Sequence, residues 1–167
     1  QRQMCIRDRY QPMLLGGVFK ATGNASPISV PAKGRYMFDD LARYAKRYNV
    51  ALKFNPHFPI NTLVLMRAVM GIQMRQPERF QAFIDCLFRA IWVEGRHLGD
   101  PAVVAAVLSE AGFDPEEVLN LANDEKVKAA LKDKTEQAVQ RGVFGAPSMF
   151  VGNDLFLSLI HISEPTS

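Results

Sequence analysis

The chain has 167 residues, of which 48% are hydrophobic and 22% charged, a composition typical of one globular domain or one domain with an insertion. Its net charge is only +3 and its basic residues are dispersed, which argues against a nucleic-acid-binding surface. No apolar run approaches the ~18 residues of a membrane-spanning helix, and the N-terminus lacks the apolar core of a secretory signal. We therefore expect a cytoplasmic protein that binds neither nucleic acid nor membrane.

The cysteines and histidines indicate neither a redox pair nor a metal site. Cys5 and Cys86 do not form the Cys-x-x-Cys motif of a disulfide oxidoreductase. Cys86 lies within an apolar helical stripe, which favours a buried, unreactive thiol. The three histidines, His57, His97 and His161, do not combine with the cysteines into metal-site spacing, so no metal is expected.

The two ends of the chain do not continue the patterns of their neighbours. Residues 1–9 read QRQMCIRDR, and residues 158–167 read SLIHISEPTS. Both strings resemble translated sequencing-adapter read-through, so we interpret them as foreign and exclude them from the fold prediction. This interpretation predicts that the natural protein is truncated at both ends.

After residue 9, the sequence predicts a strand and then a loop. Residues 10–15 are short and apolar with Pro12 among them, which favours an edge strand ended by the Gly-Gly pair at 16–17. The serines and prolines of residues 25–33 predict a loop, a kind of segment that often carries function.

A helix and a second short strand should follow this loop. Residues 34–48 predict a helix, with apolar side chains at helical spacing. These are Met37, Leu41, Tyr44 and Tyr48. Residues 50–54 predict a short strand or extended segment, and the two prolines of residues 55–59 then break regular structure.

The next part of the chain predicts a block of helices. Asn61 could cap a helix over residues 62–73, and Pro77 could start the next one. The second helix has the clearest apolar stripe, which recurs every 3.6 residues. It consists of Phe80, Phe83, Ile84, Leu87, Phe88, Ile91 and Trp92. Asp-Pro pairs at 100–101 and 114–115 predict the starts of two more helices, the first with Val104, Val107, Leu108 and Ala111 inward.

The chain should end in a long helix and a hairpin. Residues 123–141 predict the helix, which Gly142 would stop. Two apolar runs, 148–151 and 155–157, then flank a Gly-Asn-Asp turn, as in a β-hairpin.

Just before the hairpin, the Gly145-Ala146-Pro147 turn allows two interpretations. An X-Pro bond adopts the cis form far more readily than other peptide bonds. A Gly-x-Pro turn before a strand is similar to the thioredoxin-fold corner where the residue preceding a cis-proline binds a peptide-like thiol through its backbone. The alternative is an ordinary loop into a strand, and these residues alone do not decide between the two.

Together the elements predict an α/β protein with a large helical insertion. Residues 10–54 and 124–157 would form the two parts of the first domain, and residues 55–123 would form the α-helical insertion domain.

Four strings carry a resemblance to a known family. They are GGVFKATGN at residues 16–24, PAKGRYM at 31–37, NPHFPINT at 55–62 and GVFGAP at 142–147. Each is weak alone, but in this order and spacing the chain resembles the 2-hydroxychromene-2-carboxylate isomerases, which belong with the kappa-class glutathione transferases and the DsbA-like group. The resemblance implies a thioredoxin-like domain, incomplete here, with a large α-helical insertion domain.

The resemblance also implies an activity. Glutathione would be the cofactor, supplying a nucleophilic thiol that is regenerated as 2-hydroxychromene-2-carboxylate is isomerised to trans-o-hydroxybenzylidenepyruvate. The partners would be a small aromatic substrate and, commonly, a second subunit in a homodimer.

Site residues follow from the resemblance position by position. Asn24, Ala146, Pro147 and Lys20 match positions expected to bind glutathione. Asn55 and Pro56 match positions near the aromatic substrate. The family serine that favours the glutathione thiolate has no match in this chain, since neither Ser26 nor Ser29 occupies its place, so the catalytic residue is unknown.

Two other functions stay open from the sequence. A kappa-like glutathione transferase would act on other electrophiles and consume glutathione. A non-catalytic thioredoxin-like module would bind glutathione or a peptide without a reaction. Because the activating serine is unmatched, we expect this chain to have little or no isomerase activity.

Overall fold

The computed structural model describes residues 9–158, which form seven α-helices, two 3₁₀ turns and one β-hairpin. The helices are α1 (Leu15–Thr22), α2 (Pro31–Tyr48), α3 (Leu63–Arg75), α4 (Phe80–Trp92), α5 (Pro101–Glu110), α6 (Pro115–Asn123) and α7 (Glu125–Gln140). The 3₁₀ turns are Pro27–Ser29 and Pro77–Arg79, and the strands are β1 (Ser148–Val151) and β2 (Asp154–Leu157). Among these described residues, the helices are too short or too polar to span a bilayer.

The predicted first strand is wrong. Residues 10–14 have no regular structure, and the Gly-Gly pair at 16–17 lies inside α1. The backbone carbonyl of Leu14 accepts hydrogen bonds from the N–H groups of Gly17 and Val18, at 2.9 and 3.1 Å, which starts the helix. Two glycines have low helix propensity, so tertiary contacts described below determine this element.

Two other predictions change in detail. The expected loop over residues 25–33 contains a 3₁₀ turn, and Pro31 is already the first residue of α2, where its missing N–H costs nothing. Residues 50–54 form no strand with any described residue. The N–H groups of Val50 and Lys53 donate instead to Ala45 and Trp92.

The helix starts predicted from the two aspartates are confirmed. Asp100 accepts a hydrogen bond from the N–H of Ala102, and Asp114 accepts one from the N–H of Glu116, at 2.8 and 2.9 Å. Asn61 accepts from the N–H of Leu63 at 3.1 Å, but α3 begins one residue later than predicted and its N-cap residue is Thr62. These side chains satisfy N–H groups that have no partner within their own helix. Asp124 caps α7 in the same way, so that helix begins two residues later than predicted.

The main hydrophobic core lies among α3, α4, α5 and α6. Its buried members are Leu65, Ala68, Val69, Ile72, Phe80, Phe83, Leu87, Ala90, Leu98, Val107, Leu108, Phe113, Val118 and Ala122. A smaller cluster of Met70, Val127 and Leu131 joins α3 to α7. Two side chains predicted to face inward are exposed, namely Phe88 and Ala111, because the buried stripe of α4 runs through Ala90 and α5 ends at Glu110.

Close packing of α3 against α6 depends on Gly71. A Cβ atom at this position would lie only 2.9 Å from the Cβ atom of Leu121. We expect Gly71→Ala to lower the free energy of unfolding by about 1–3 kcal/mol, because the two helices must separate. Urea denaturation monitored by circular dichroism would measure this change.

The matched control for Gly71 is Gly16→Ala in α1. A Cβ atom at Gly16 would meet nothing within 4 Å, and the residue does not need a positive φ. Alanine should therefore stabilise the protein by about 0.4–1 kcal/mol, since it restricts the unfolded chain. A Gly71→Ala variant as stable as Gly16→Ala would contradict the packing argument.

The hairpin is confirmed. Strands β1 and β2 are antiparallel, with Val151 opposite Asp154 and Ser148 opposite Leu157. A two-residue turn of Gly152 and Asn153 connects them, and Gly152 has a φ of 61°. The hairpin follows α7 after seven residues, and these seven residues contain the Gly145-Ala146-Pro147 turn.

Candidate functional site

The Gly145-Ala146-Pro147 turn presents an open backbone. The Ala146–Pro147 peptide bond is cis, and both residues are exposed. Within residues 9–158, neither the N–H nor the C=O of Ala146 forms a hydrogen bond. Since Ala146 is an exposed residue with neither backbone group paired, it can offer one donor and one acceptor to an extended peptide-like ligand.

Neighbouring contacts fix the shape of this turn. The hydroxyl of Ser148 donates to the carbonyl of Gly145 at 2.9 Å, and the N–H of Ser158 donates to the carbonyl of Pro147 at 2.9 Å. Gly145 is buried, and a Cβ atom there would lie 3.3 Å from Cδ1 of Leu157. The turn is thus tied to both ends of the hairpin through the carbonyls of Gly145 and Pro147, and both backbone groups of Ala146 remain unpaired among residues 9–158.

Asn24 lies beside this turn although 120 residues separate it from Phe144. Its Nδ2 donates to the carbonyl of Phe144 at 2.7 Å, and its Oδ1 accepts from the N–H of Ala25 at 2.8 Å. Gly23, with a φ of 69°, ends α1 and turns the chain into this contact. Because an amide side chain has two N–H bonds and two acceptor positions, Asn24 keeps one of each for a ligand.

Lys20 occupies the last turn of α1, four residues before Asn24. Its side chain is exposed and forms no ion pair with another described residue. The ammonium group is therefore available to a carboxylate near the end of α1.

The side chain of Asn55 points into the protein and is bonded to its backbone, so it is not exposed to a ligand. Its side chain is fully buried; Nδ2 donates to the carbonyls of Ile91 and Arg96 at 3.0 and 2.9 Å, and Oδ1 accepts from the N–H of His57 at 2.9 Å. Pro56 is exposed, so it is the member of the pair that a ligand can reach. Among the described residues, no hydrogen bond joins either of them to the turn at Ala146.

Two contacts between residues far apart in the chain could not be predicted from the sequence. The rings of His57 and His97 stack at 4.4 Å between centroids, with 9° between their planes. The hydroxyl of Thr135, on α7, accepts a hydrogen bond from the N–H of Leu14 at 2.9 Å. A threonine within a helix commonly bonds the carbonyl four residues before it, and nothing in the sequence indicates that Leu14 would be its second partner.

The structure gives Cys86 no feature of a reactive thiol. Burial raises the pKa of its thiol to about 11, and its sulfur donates weakly to the carbonyl of Phe83 at 3.1 Å. A thiol with such a pKa is almost entirely protonated near neutral pH, which makes it a poor nucleophile. Cys5 and His161 lie outside the described residues, within which no three His, Cys, Asp or Glu side chains could hold a metal ion.

Comparison with known proteins decides the family. Residues 1–161 match the DSBA-like thioredoxin domain. The chain belongs to this family. The thioredoxin-like fold with a large helical insertion, expected from the sequence, is confirmed by this match and by the structural comparison below.

Curated relatives of this DsbA-like chain include transferases and isomerases. The chain is 27% identical over 151 residues to glutathione S-transferase kappa 1 of Rattus norvegicus, a match that covers 86% of this chain and 67% of the relative. It is also 27% identical over 158 residues to 2-hydroxychromene-2-carboxylate isomerase of Sphingobium xenophagum, covering 93% of this chain and 78% of the relative. The family resemblance seen in the four sequence strings is confirmed.

The solved structure of a 2-hydroxychromene-2-carboxylate isomerase is similar to this DsbA-like chain. The TM-score is 0.73 at 25% sequence identity, with 89% of this chain and 72% of the other chain covered. The related proteins are thus named both as isomerases and as glutathione transferases.

Proposed function

We propose that this protein binds glutathione at the Ala146–Pro147 turn and belongs with enzymes that interconvert 2-hydroxychromene-2-carboxylate and trans-o-hydroxybenzylidenepyruvate. The observation that carries this proposal is the exposed, unpaired backbone of Ala146, with Asn24 hydrogen-bonded to the same turn. Relatives named for both glutathione transfer and this isomerisation support it.

The residues at the turn fit a glutathione molecule. Glutathione is a short peptide with an extended backbone and two terminal carboxylates, so it needs paired donors and acceptors together with positive charge. The N–H and C=O of Ala146 supply the pair that an added strand would use. The remaining N–H of Asn24 and the ammonium of Lys20 supply donors for a carbonyl or a carboxylate.

When bound, glutathione would supply a thiol whose thiolate form is the nucleophile. The protein residues hold and orient that molecule, and Pro56 would line the approach of the aromatic substrate. Neither Ser26 nor Ser29 matches the family serine that stabilises the thiolate. We therefore expect this 167-residue chain to bind glutathione but to show little or no isomerase turnover, and rapid turnover would contradict that expectation.

Replacement of Asn24 tests the glutathione site directly. We expect Asn24→Ala to raise the dissociation constant of glutathione about five- to tenfold, since it removes one ligand hydrogen bond and the tie to Phe144. Isothermal titration calorimetry with glutathione would measure this change. Asn120→Ala, an exposed asparagine on α6, is the matched control and should leave binding unchanged.

Two outcomes would contradict the proposed site. If the wild-type protein fails to bind glutathione, the proposed function is wrong. If Asn24→Ala binds glutathione as tightly as wild type, the ligand does not bind at this turn.

A kappa-like glutathione transferase is the second candidate, favoured by the relative of that name. Product analysis separates the two reactions, because isomerisation leaves the glutathione concentration constant whereas conjugation consumes it.

A further inference from the structure

Two hydrogen bonds, one just before α1 and one just after it, join this part of the chain to α7 and to the loop that follows α7. At the start of α1, the N–H of Leu14 donates to the hydroxyl of Thr135. After its end, Asn24 donates to the carbonyl of Phe144. The two contacts join residues 121 and 120 positions apart, so α1 and the segment beginning at Thr135 run in the same direction in nearly constant register.

Thr135 is buried, and its hydroxyl both donates and accepts a hydrogen bond. It is 8% exposed, and Oγ1 donates to the carbonyl of Leu131 at 2.7 Å while accepting from Leu14 at 2.9 Å. Leu14 is the N-cap residue of α1, and its own carbonyl accepts the first hydrogen bonds of that helix. The hydroxyl of Thr135 therefore holds the residue from which α1 starts.

The methyl group of Thr135 sets the distance between the helices. A Cβ atom at Gly17 would lie 3.1 Å from Cγ2 of Thr135, which is tighter than nine in ten real Cβ contacts, so one of the two groups would have to shift by a few tenths of an ångström. Gly17 lets the backbone of α1 approach this methyl group. Both ends of the threonine side chain, hydroxyl and methyl, thus fix α1 against α7.

Backbone contacts also connect Thr135 to the turn at Ala146. Val143 is buried, and its N–H donates to the carbonyl of Ala138, which continues α7 into the loop that carries Phe144. On the other side, α1 has only eight residues, so the placement of Leu14 determines where Asn24 emerges.

We propose that Thr135 is a positioning residue for the glutathione site: it holds α1 in register with α7, so that Asn24 meets the Ala146–Pro147 turn. Thr135 acts through α1 and does not itself contact the ligand. This inference rests on the proposed function for its ligand, but the placement of Asn24 can be measured without any ligand.

The ligand-free experiment follows the side-chain amide of Asn24 by nuclear magnetic resonance. In Thr135→Val, which keeps the shape but removes the hydroxyl, we expect the Asn24 amide signals to shift towards free-amide values and to exchange with solvent several-fold faster. Thr135→Ser keeps the hydroxyl and should retain the wild-type signals. Unchanged Asn24 signals in folded Thr135→Val would overturn the inference.

A second variant tests the same contact from α1. Gly17→Ala introduces the close Cβ contact with the Thr135 methyl group and should disturb the Asn24 amide in the same way, whereas Gly16→Ala, which meets open space, should not. If Thr135→Val fails to fold, these two glycine variants test the role of Thr135 instead. Equal Asn24 amide signals in the two variants would then contradict the inference.

A double-mutant cycle with glutathione separates positioning from general destabilisation. We expect Thr135→Val to raise the dissociation constant about fivefold, and Thr135→Ser to restore most of the affinity. The double variant with Asn24→Ala should bind glutathione no more weakly than Asn24→Ala alone, because both changes remove the same contribution, that of Asn24. Multiplicative losses would show that Thr135 does not act through Asn24. If wild type binds no glutathione, the proposed function fails, while the amide measurements still decide the role of Thr135.

Discussion

Replacing Asn55 with alanine is expected to lower the free energy of unfolding by about 3 kcal/mol or more. The change leaves the N–H of His57 and the carbonyl of Ile91 without their side-chain partner, while the carbonyl of Arg96 keeps the N–H of Leu98. Each polar group left unsatisfied in a buried position costs ~1–3 kcal/mol. Urea denaturation, followed by circular dichroism at 222 nm, measures the loss.

Asn61→Ala is the matched control for Asn55. Asn61 is exposed and accepts one hydrogen bond, from the N–H of Leu63. We expect a loss of ~1 kcal/mol or less, the usual contribution of one exposed hydrogen bond. Equal losses at Asn55 and Asn61 would show that the buried amide is not a major support of the segment before α3.

The Asn55 result also bears on the aromatic substrate. If Asn55→Ala unfolds the segment around Pro56, a loss of substrate binding in that variant would report on structure. Pro56→Ala leaves the amide network of Asn55 in place and is the cleaner test of the predicted substrate contact.

Phe83→Ala should be comparably severe, with an expected loss of about 3–5 kcal/mol in the free energy of unfolding. Phe83 is fully buried in the main core, and its ring packs edge-to-face on Phe113 at 5.0 Å between centroids. Removing the ring creates a large cavity and loses the aromatic contact. Urea denaturation measures this loss as a lower midpoint concentration, with an unchanged dependence of the free energy of unfolding on urea.

Phe88→Ala on the same helix is its control. Phe88 is 62% exposed, so its truncation should change the free energy of unfolding by less than ~0.5 kcal/mol. A large loss at Phe88 would mean that an additional surface covers this face of α4 in solution.

This pair of phenylalanines shows what hydrophobic spacing can and cannot predict. Apolar residues at a 3.6-residue period identified α4 and most of its buried side. The period alone cannot decide whether Phe88 or Ala90 lies at the edge of the stripe, because α5 and the Phe113 segment determine which side is covered. Helix starts were predicted more reliably, since the capping aspartates act on N–H groups two residues away.

The wrong prediction of a first strand at residues 10–15 has a different cause. Residues 10–15 are apolar, and two glycines follow, so local preference opposes a helix at Leu15. The decisive contact is the hydrogen bond from Leu14 to Thr135, which lies 121 residues further along the chain. No local pattern contains that information.

The candidate site was predicted by resemblance more than by residue chemistry. The Gly145-Ala146-Pro147 turn had a local signal in its glycine and proline. Asn24 had none, because an asparagine after a glycine is a common turn residue. Asn55 was expected near the substrate, and the structure shows its amide committed to the protein backbone.

The long separation between Asn24 and Phe144 has a consequence for the order of folding. Closing an unstructured loop of this length costs about 4 kcal/mol in chain entropy. The helices between these residues have their own core, and its formation shortens the flexible chain that remains to be closed. Contacts at such high sequence separation generally form after local ones. We therefore expect the helical core to form early and the corner at Ala146 to be assembled in the last step, when α1 docks on α7.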